Sequence, residues 1–172
     1  MSLPEFSNSL KLQEILLAKI QGSSAQQITF AQYMALALYH QPYGYYTERV
    51  SIGSLGDFFT SSSLGQDFGQ LLGIQLREMW HNLGCPAPFC VVEMGAGNGE
   101  LAQDLLDSWH KDDHRSFLKA LKYIIIERSP YLRQQQQERL KSIRANRDFD
   151  LTWKNWSDLE SESIEGCFLP MS

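Results

Sequence analysis

One short segment restricts the fold of this chain more than any other. Residues 93–99 read Glu-Met-Gly-Ala-Gly-Asn-Gly, follow an apolar run at 89–92 and precede a helical pattern with Leu101 and Leu105. Glycine adopts positive φ without steric cost and lets a ligand approach the backbone closely, while a helix N-terminus offers unbonded N–H groups to an anion. The segment therefore predicts a strand, a glycine turn and a helix that together hold a nucleotide or a cofactor. The alternative is that the glycines only make a tight turn.

A second unit of strand and helix follows the first. Residues 121–126 are rich in β-branched side chains, Glu127 ends this strand, and Pro130 can occupy the first turn of the next helix. That helix contains the four glutamines at 134–137, which we interpret as a solvated helix face. Two more strands are predicted, at 149–153 and from residue 166 onwards. The predicted fold is therefore α/β, with a Rossmann-like sheet of about four parallel strands.

The N-terminal half of the chain is predicted to be helical. Thr29 and Gln32 have the spacing of a capping box, which predicts that a helix begins directly after Thr29. Residues 42–63 are rich in glycine and aromatic side chains, which is typical of a loop. We therefore predict a helical N-terminal region at 1–83 and a sheet-containing region at 88–172.

Composition and charge argue against several classes of function. The 172 residues include 15 Lys and Arg against 20 Asp and Glu, and the formal net charge of -5 disfavours binding to the phosphates of nucleic acid. The three cysteines form no Cys-x-x-Cys pair, which disfavours a thiolate zinc site and a disulfide framework. No stretch has the ~20 apolar residues that span a bilayer, which disfavours a transmembrane helix. Glu5 precedes every Lys and Arg, which disfavours a targeting signal. We predict a cytoplasmic protein that binds no nucleic acid and does not insert into a membrane.

The type of cofactor is narrowed by the residues around the glycines. A dinucleotide fingerprint needs a glycine three residues after Gly97, where this chain has Glu100. A carboxylate there is poorly placed beside a pyrophosphate, which disfavours a nucleotide-dependent oxidoreductase, and no Gly-Lys-Ser/Thr follows that would make a P-loop. Glu127 stands where a ribose-diol acceptor lies in such folds. S-adenosylmethionine, which has an adenosine and no phosphates, fits this combination.

Five separated segments resemble those of one enzyme family. They lie at 28–34, 44–46, 56–62, 92–99 and 126–130. In this order they resemble the MidA-like methyltransferases, a bacterial and mitochondrial family that includes the arginine methyltransferase helping to assemble respiratory complex I. The resemblance covers residues 27–168, and its Gly-Asp-Phe-Phe-Thr element at 56–60 is much less generic than the glycine turn.

The resemblance implies a class I methyltransferase fold, S-adenosylmethionine as methyl donor, and a protein arginine as acceptor, with a respiratory-complex subunit as one protein partner. It also implies that the loop at 56–62 covers the cofactor. The predicted cofactor-binding residues are Glu93, Gly95, Ala96, Gly97, Gly99, Glu127, Arg128, Gly56, Phe58 and Thr60. Asp57 is the catalytic candidate, because a carboxylate in this loop could orient a cationic acceptor; the alternative is an Asp that only caps the loop.

The chain departs from the family after its fourth predicted strand. Members of the family continue with an Asn-Glu-x-x-Asp-Ala element and further strands, whereas this chain ends at Ser172. We therefore expect an N-terminal fragment that is inactive alone and whose fourth strand is an exposed apolar edge, which predicts self-association. The alternative function is a non-catalytic module that binds S-adenosylmethionine or a nucleotide.

One pair of histidines has the spacing of metal ligands on a helix. His110 and His114 are four residues apart, with Asp112 and Asp113 between them. A polar tract after a helix is more often a solvated loop, and no further ligand is evident. We therefore predict no metal site.

Overall fold

The computed structural model describes residues 3–48, 66–111, 115–145, 148–160 and 163–170. The chain forms two compact units, one of Met1–Val50 with Ser129–Tyr131 and one of Ser51–Arg128 with Leu132–Ser172. The boundary expected from the sequence lies between residues 83 and 88, whereas the structure divides the chain at residue 50. The difference arises from one helix, at 66–82, which belongs to the unit that contains the sheet.

The first unit is helical. It contains α1 (Leu3–Gln21), α2 (Phe30–Tyr39) and α3 (Tyr45–Glu48). At the start of α2, the Gln32 N–H donates to Thr29 Oγ1 at 3.2 Å and the Thr29 N–H donates to Gln32 Oε1 at 2.9 Å. The predicted capping box and helix start are therefore confirmed. Ser129 Oγ donates to the carbonyl oxygen of Tyr46, which ties the segment at 129–131 to this unit.

The second unit alternates strands and helices. Its helices are α4 (Gln66–Asn82), α5 (Glu100–Lys111), α6 (Arg115–Ala120), α7 (Pro130–Arg139, whose first two residues belong to the other unit) and α8 (Lys141–Arg144). Its strands are β1 (Phe89–Met94), β2 (Leu121–Ile126), β3 (Asp150–Lys154) and β4 (Gly166–Pro170). Within the described ranges, no helix is long and apolar enough to cross a membrane.

The four strands form one sheet in the order β3-β2-β1-β4, and every neighbouring pair is parallel. The predicted α/β class with four parallel strands is therefore confirmed. The strands β1 and β2 are central, and β3 and β4 are the edges among the strands described. Because the carboxyl ends of parallel strands meet at one side of the sheet, the residues that follow β1, β2 and β3 come close together there.

The core of this unit combines buried residues of the strands with buried residues of the helices, among them α4, α5 and α6. Trp109 of α5 has its ring centroid 5.0 Å from that of Phe117, and its Nε1 donates to the carbonyl oxygen of Gly73 at 3.0 Å. The approach of α4 to α5 is close, because a Cβ added at Gly69 would lie 2.5 Å from the Cβ of Asp104. This close packing is the reason that α4 groups with the sheet rather than with the N-terminal helices.

Candidate cofactor site

The glycine turn has the conformation that its sequence predicts. Gly95, Gly97 and Gly99 all have positive φ, at 72°, 57° and 84°. The Gly99 N–H donates to the Ala96 carbonyl oxygen at 2.8 Å, and α5 begins with the next residue. A residue with a Cβ would be strained at each of these three glycines. The predicted order of strand, glycine turn and helix is confirmed.

One buried side chain connects this turn to the two neighbouring strands. Gln136 of α7 is fully buried, and its Nε2 donates to the Gly97 carbonyl oxygen at 2.8 Å and to Glu127 Oε2 at 3.1 Å. Its Oε1 accepts a hydrogen bond from Trp153 Nε1 of β3 at 2.9 Å. A single amide therefore links the turn after β1, the acid after β2 and the third strand.

The interpretation of the glutamines at 134–137 as a solvated helix face was wrong at one position. Gln136 is buried, while Gln134 and Gln137 are exposed. The sequence does contain a signal. Leu132, Gln136 and Leu140 are spaced by four residues and all are buried, as expected for the inner face of a helix, although α7 itself ends one residue before Leu140. An unbroken run of one polar residue type hid this periodicity.

Glu127 lies at the end of β2, as predicted, and its residue is only 8% exposed. Its carboxylate accepts the bond from Gln136, and its backbone carbonyl accepts a 3.0 Å hydrogen bond from Arg133 Nη2. The same Arg133 nitrogen also donates to the Lys154 carbonyl oxygen at the end of β3, at 3.4 Å. Side chains of α7 thus hold the carboxyl ends of β2 and β3 together.

Glu93, the acid of β1, is fully buried and is bonded to a partner that the sequence analysis did not single out. The Tyr123 hydroxyl of β2 donates to Glu93 Oε2 at 2.8 Å, while Glu93 Oε1 has no hydrogen-bond partner among the residues that the structure describes. Burial raises the pKa of Glu93 from its usual 4.5 to about 7; the bond from Tyr123 lowers it, and the charge of Glu127 raises it. Burial, followed by the charge of Glu93 and the hydrogen bond between them, raises the pKa of Tyr123 well above 10.

The chemistry of these residues fits a ligand that carries hydroxyl or ammonium donors rather than phosphates. Carboxylates lie before, after and beside the glycine turn, in Glu93, Glu100 and Glu127. The Glu100 carboxylate accepts a 2.9 Å hydrogen bond from Asn98 Nδ2 and lies 3.6 Å from Arg139 Nη2. Backbone with positive φ, adjacent to a buried carboxylate at the end of the next strand, suits an adenosine with a ribose diol.

The structure brings together the part of the predicted site that it describes. Glu93, the residues of the turn and Glu127 lie at the carboxyl ends of β1 and β2, and the exposed Arg128 directly follows Glu127. The remaining predicted residues, which are Gly56, Asp57, Phe58 and Thr60, lie outside the described residues.

Only one histidine of the pair at 110 and 114 lies among the described residues. Nδ1 of His110 lies 2.8 Å from the Leu106 carbonyl oxygen, within the same helix, whereas His114 lies outside the described residues. In the ranges that are described, no group of three or more His, Cys, Asp or Glu side chains could hold a metal ion.

A family model for S-adenosyl-L-methionine-dependent methyltransferases matches residues 71–171, which contain the glycine turn and Glu127. The chain belongs to this family. Membership confirms the predicted methyltransferase family and S-adenosylmethionine as the cofactor of that family. It also agrees with the observed sheet, because the matched segment includes all four strands.

Named relatives and a solved structure support the same family. The mitochondrial protein arginine methyltransferase NDUFAF7 homologue of Drosophila melanogaster is 38% identical over 118 residues, which are 67% of this chain and 26% of the relative. The human mitochondrial protein arginine methyltransferase NDUFAF7 is 42% identical over 83 residues, 48% of this chain and 19% of that protein. The chain therefore spans only a small part of these relatives' length.

The structural similarity extends over nearly the whole chain. A crystal structure of a Burkholderia thailandensis protein bound to S-adenosyl-homocysteine has a TM-score of 0.75 and 27% sequence identity to this chain. The similarity covers 99% of this chain and 42% of the Burkholderia chain. It confirms the Rossmann-like methyltransferase fold predicted from the sequence.

The predicted cytoplasmic location is wrong. The fly and human relatives of this methyltransferase family are mitochondrial proteins by name. The prediction relied on the cysteine pattern, on the lack of a long apolar stretch in the sequence and on Glu5 preceding every Lys and Arg. A targeting signal is a separate segment that the fold does not need, so these properties do not determine the compartment.

Proposed function

We propose that this chain provides the cofactor-binding part of an S-adenosylmethionine-dependent protein arginine methyltransferase. The observation that carries the proposal is the glycine turn at 95–99, joined through Gln136 to the buried carboxylate of Glu127. The turn and the acid lie at the carboxyl ends of adjacent parallel strands, where ligands bind in open α/β sheets.

Each part of this site has a distinct task in the proposal. Glu127 accepts hydrogen bonds from the ribose hydroxyls, and the glycines let the cofactor lie against backbone without a Cβ between them. Glu93 is fully buried in the strand before the turn, and its bond to Tyr123 fixes that strand to β2. S-adenosylmethionine, when bound, supplies a methyl group activated by its sulfonium. The protein then has to hold the acceptor in line with that methyl group.

The acceptor is proposed to be an arginine of a protein, because the NDUFAF7 relatives are named as protein arginine methyltransferases. A subunit of a respiratory complex is the proposed partner, on the basis of the MidA-like resemblance. Asp57 remains the proposed residue for orienting a cationic acceptor, and Gly56, Phe58 and Thr60 remain proposed cofactor contacts from the covering loop.

The cofactor assignment can be tested by calorimetric titration of the 172-residue chain with S-adenosylhomocysteine. Gly97→Ala places a Cβ on the turn, and Gly84→Ala is its matched control. Both glycines have positive φ, at 57° and 82°, and nothing lies within 4 Å of a Cβ added at Gly84. Each variant therefore carries backbone strain of about 1–2 kcal/mol, but only Gly97→Ala should weaken binding. Equal affinity in both variants and the wild type would place the site elsewhere.

Methyl transfer needs a separate experiment, since binding alone is also expected of a non-catalytic module. The chain would be incubated with S-adenosylmethionine labelled in its methyl group and with mitochondrial protein extract, and the proteins would be hydrolysed to amino acids. Labelled methylarginine supports the methyltransferase proposal. Because the chain is expected to be inactive alone, the incubation is repeated with the chain joined to the C-terminal part of a relative from the same family. Tight binding without labelled methylarginine in both incubations would favour the non-catalytic module.

A further inference from the structure

The amide of Gln136 makes three hydrogen bonds, and its partners determine its orientation. Trp153 Nε1 is a donor only, so the amide atom 2.9 Å from it must be the oxygen. Nε2 then faces the Gly97 carbonyl oxygen at 2.8 Å and Glu127 Oε2 at 3.1 Å, and both of these atoms are acceptors. A rotated amide would place its NH₂ group against the indole N–H, so only one orientation satisfies all three contacts.

This arrangement constrains the Glu127 carboxylate. One carboxylate oxygen is held by an amide that is itself held by the turn and by Trp153. A buried hydrogen bond between neutral and charged groups is stronger than one in water, and a network of such bonds limits rotation of its members. Gln136 therefore restrains the Glu127 carboxylate relative to the glycine turn.

We propose that Gln136 is a positioning residue that aligns Glu127 with the ribose of the cofactor and thereby sets the preference for a ribose that carries both hydroxyls. The inference rests on the proposed function, because it concerns the same cofactor. Gln136 acts through Glu127 and the Gly97 carbonyl, and a fully buried side chain has no need to touch the ligand itself.

The experiment compares two ligands, S-adenosylhomocysteine and its 2′,3′-dideoxyribose analogue, by calorimetry on the full 172-residue chain. The measured quantity is the dissociation constant of the dideoxy analogue divided by that of S-adenosylhomocysteine. Gln136→Met keeps the length and helix propensity of the side chain but removes the amide. Gln137→Met is the matched control, because Gln137 is the exposed neighbour on the same helix.

In the wild type we expect the dideoxy analogue to bind more weakly by at least about tenfold, as for the loss of hydrogen bonds to a charged group. Gln136→Met should weaken S-adenosylhomocysteine while leaving the analogue little changed, so that the ratio falls towards one. Gln137→Met should keep the wild-type ratio.

Other outcomes separate the two proposals. If Gln136→Met weakens both ligands by the same factor, Gln136 only supports the fold and the inference is overturned while the proposed function stands. If the folded wild type binds neither ligand, the proposed function is overturned together with the inference. Equal binding of both ligands by the wild type would show that Glu127 does not contact the ribose, which also overturns the inference.

A second variant covers the case in which Gln136→Met does not fold. Trp153→Phe keeps an aromatic ring in β3 but removes the N–H that holds the amide oxygen of Gln136. The amide then keeps two of its three hydrogen bonds. The ratio of the dissociation constants should therefore fall, but by less than in Gln136→Met. An unchanged ratio in a folded Trp153→Phe chain would contradict the inference.

Discussion

The hydroxyl of Tyr123 donates a 2.8 Å hydrogen bond to Glu93 Oε2, and both side chains are fully buried. The two residues lie on neighbouring strands, where Glu93 pairs with Ile125 and Tyr123 pairs with Val91. They are therefore diagonal neighbours on one face of the sheet, a separation that a tyrosine can bridge. Tyr123 thus binds a carboxylate that lies two residues before the glycine turn.

Tyr123→Phe should destabilise the fold. The substitution keeps the ring but leaves a buried carboxylate without the donor to its Oε2, and an unsatisfied buried group costs about 1–3 kcal/mol. The free energy of unfolding, measured with urea at pH 8, should fall by that amount. Tyr33→Phe is the control, because Tyr33 is 43% exposed and its change should stay within about 0.5 kcal/mol. Equal effects of the two substitutions would mean that the bond to Glu93 adds nothing.

Stability should decrease as the pH rises from about 4.5 to about 7. The pKa of Glu93 is raised in the folded chain from 4.5 to about 7, so the folded state binds more protons than the unfolded state within this window. The stabilising contribution is complete below pH 4.5 and is lost as the pH passes the folded pKa, by about 3 kcal/mol in all. The measurement is urea unfolding of the wild type and Glu93→Gln at several pH values. Parallel pH profiles for the two proteins would contradict the prediction.

The strands and the glycine turn could be predicted because each depends on local rules. Gly95, Gly97 and Gly99 have the positive φ that their spacing between a strand and a helix predicts. The parallel order also follows from the alternation of apolar runs with amphipathic helices. The boundary of the units could not be read in this way, because the contact between Gly69 and Asp104 joins segments far apart in the sequence.

The hydrogen-bond partners at the site were harder to predict for the same reason. Glu127 could be identified from its place after β2. Its hydrogen bond from Gln136 could not, because that bond joins the side chain of a helix residue to the residue that follows the preceding strand. Tyr123 looks like any strand residue until the register of β1 and β2 is known. Sequence patterns therefore indicated the candidate acids, and the tertiary structure shows which residues contact them.

Gly69→Ala should destabilise the packing of α4 on α5. Replacing glycine by alanine inside a helix usually stabilises it by about 1 kcal/mol. Here the new Cβ would lie 2.5 Å from the Cβ of Asp104, so the two helices must separate. We expect a loss of about 1–3 kcal/mol in the free energy of unfolding, which reverses the usual sign. Gln70→Ala, at the exposed neighbouring position, is the control and should change stability little. A more stable Gly69→Ala chain would contradict the close approach of these helices.

The outer strand β4 should promote self-association. Phe168 of this edge strand is 43% exposed, and its ring centroid lies 6.2 Å from that of Trp156, which is 58% exposed. An exposed apolar edge can pair with another chain, and a lysine on such an edge opposes pairing. We expect the apparent mass in size-exclusion chromatography with light scattering to rise with concentration, and Phe168→Lys to reduce the rise. Leu71→Lys removes another exposed apolar side chain, 65% exposed on α4, without touching the strand edge. A monomeric wild type at all concentrations, or equal effects of the two lysine substitutions, would show that β4 does not mediate association.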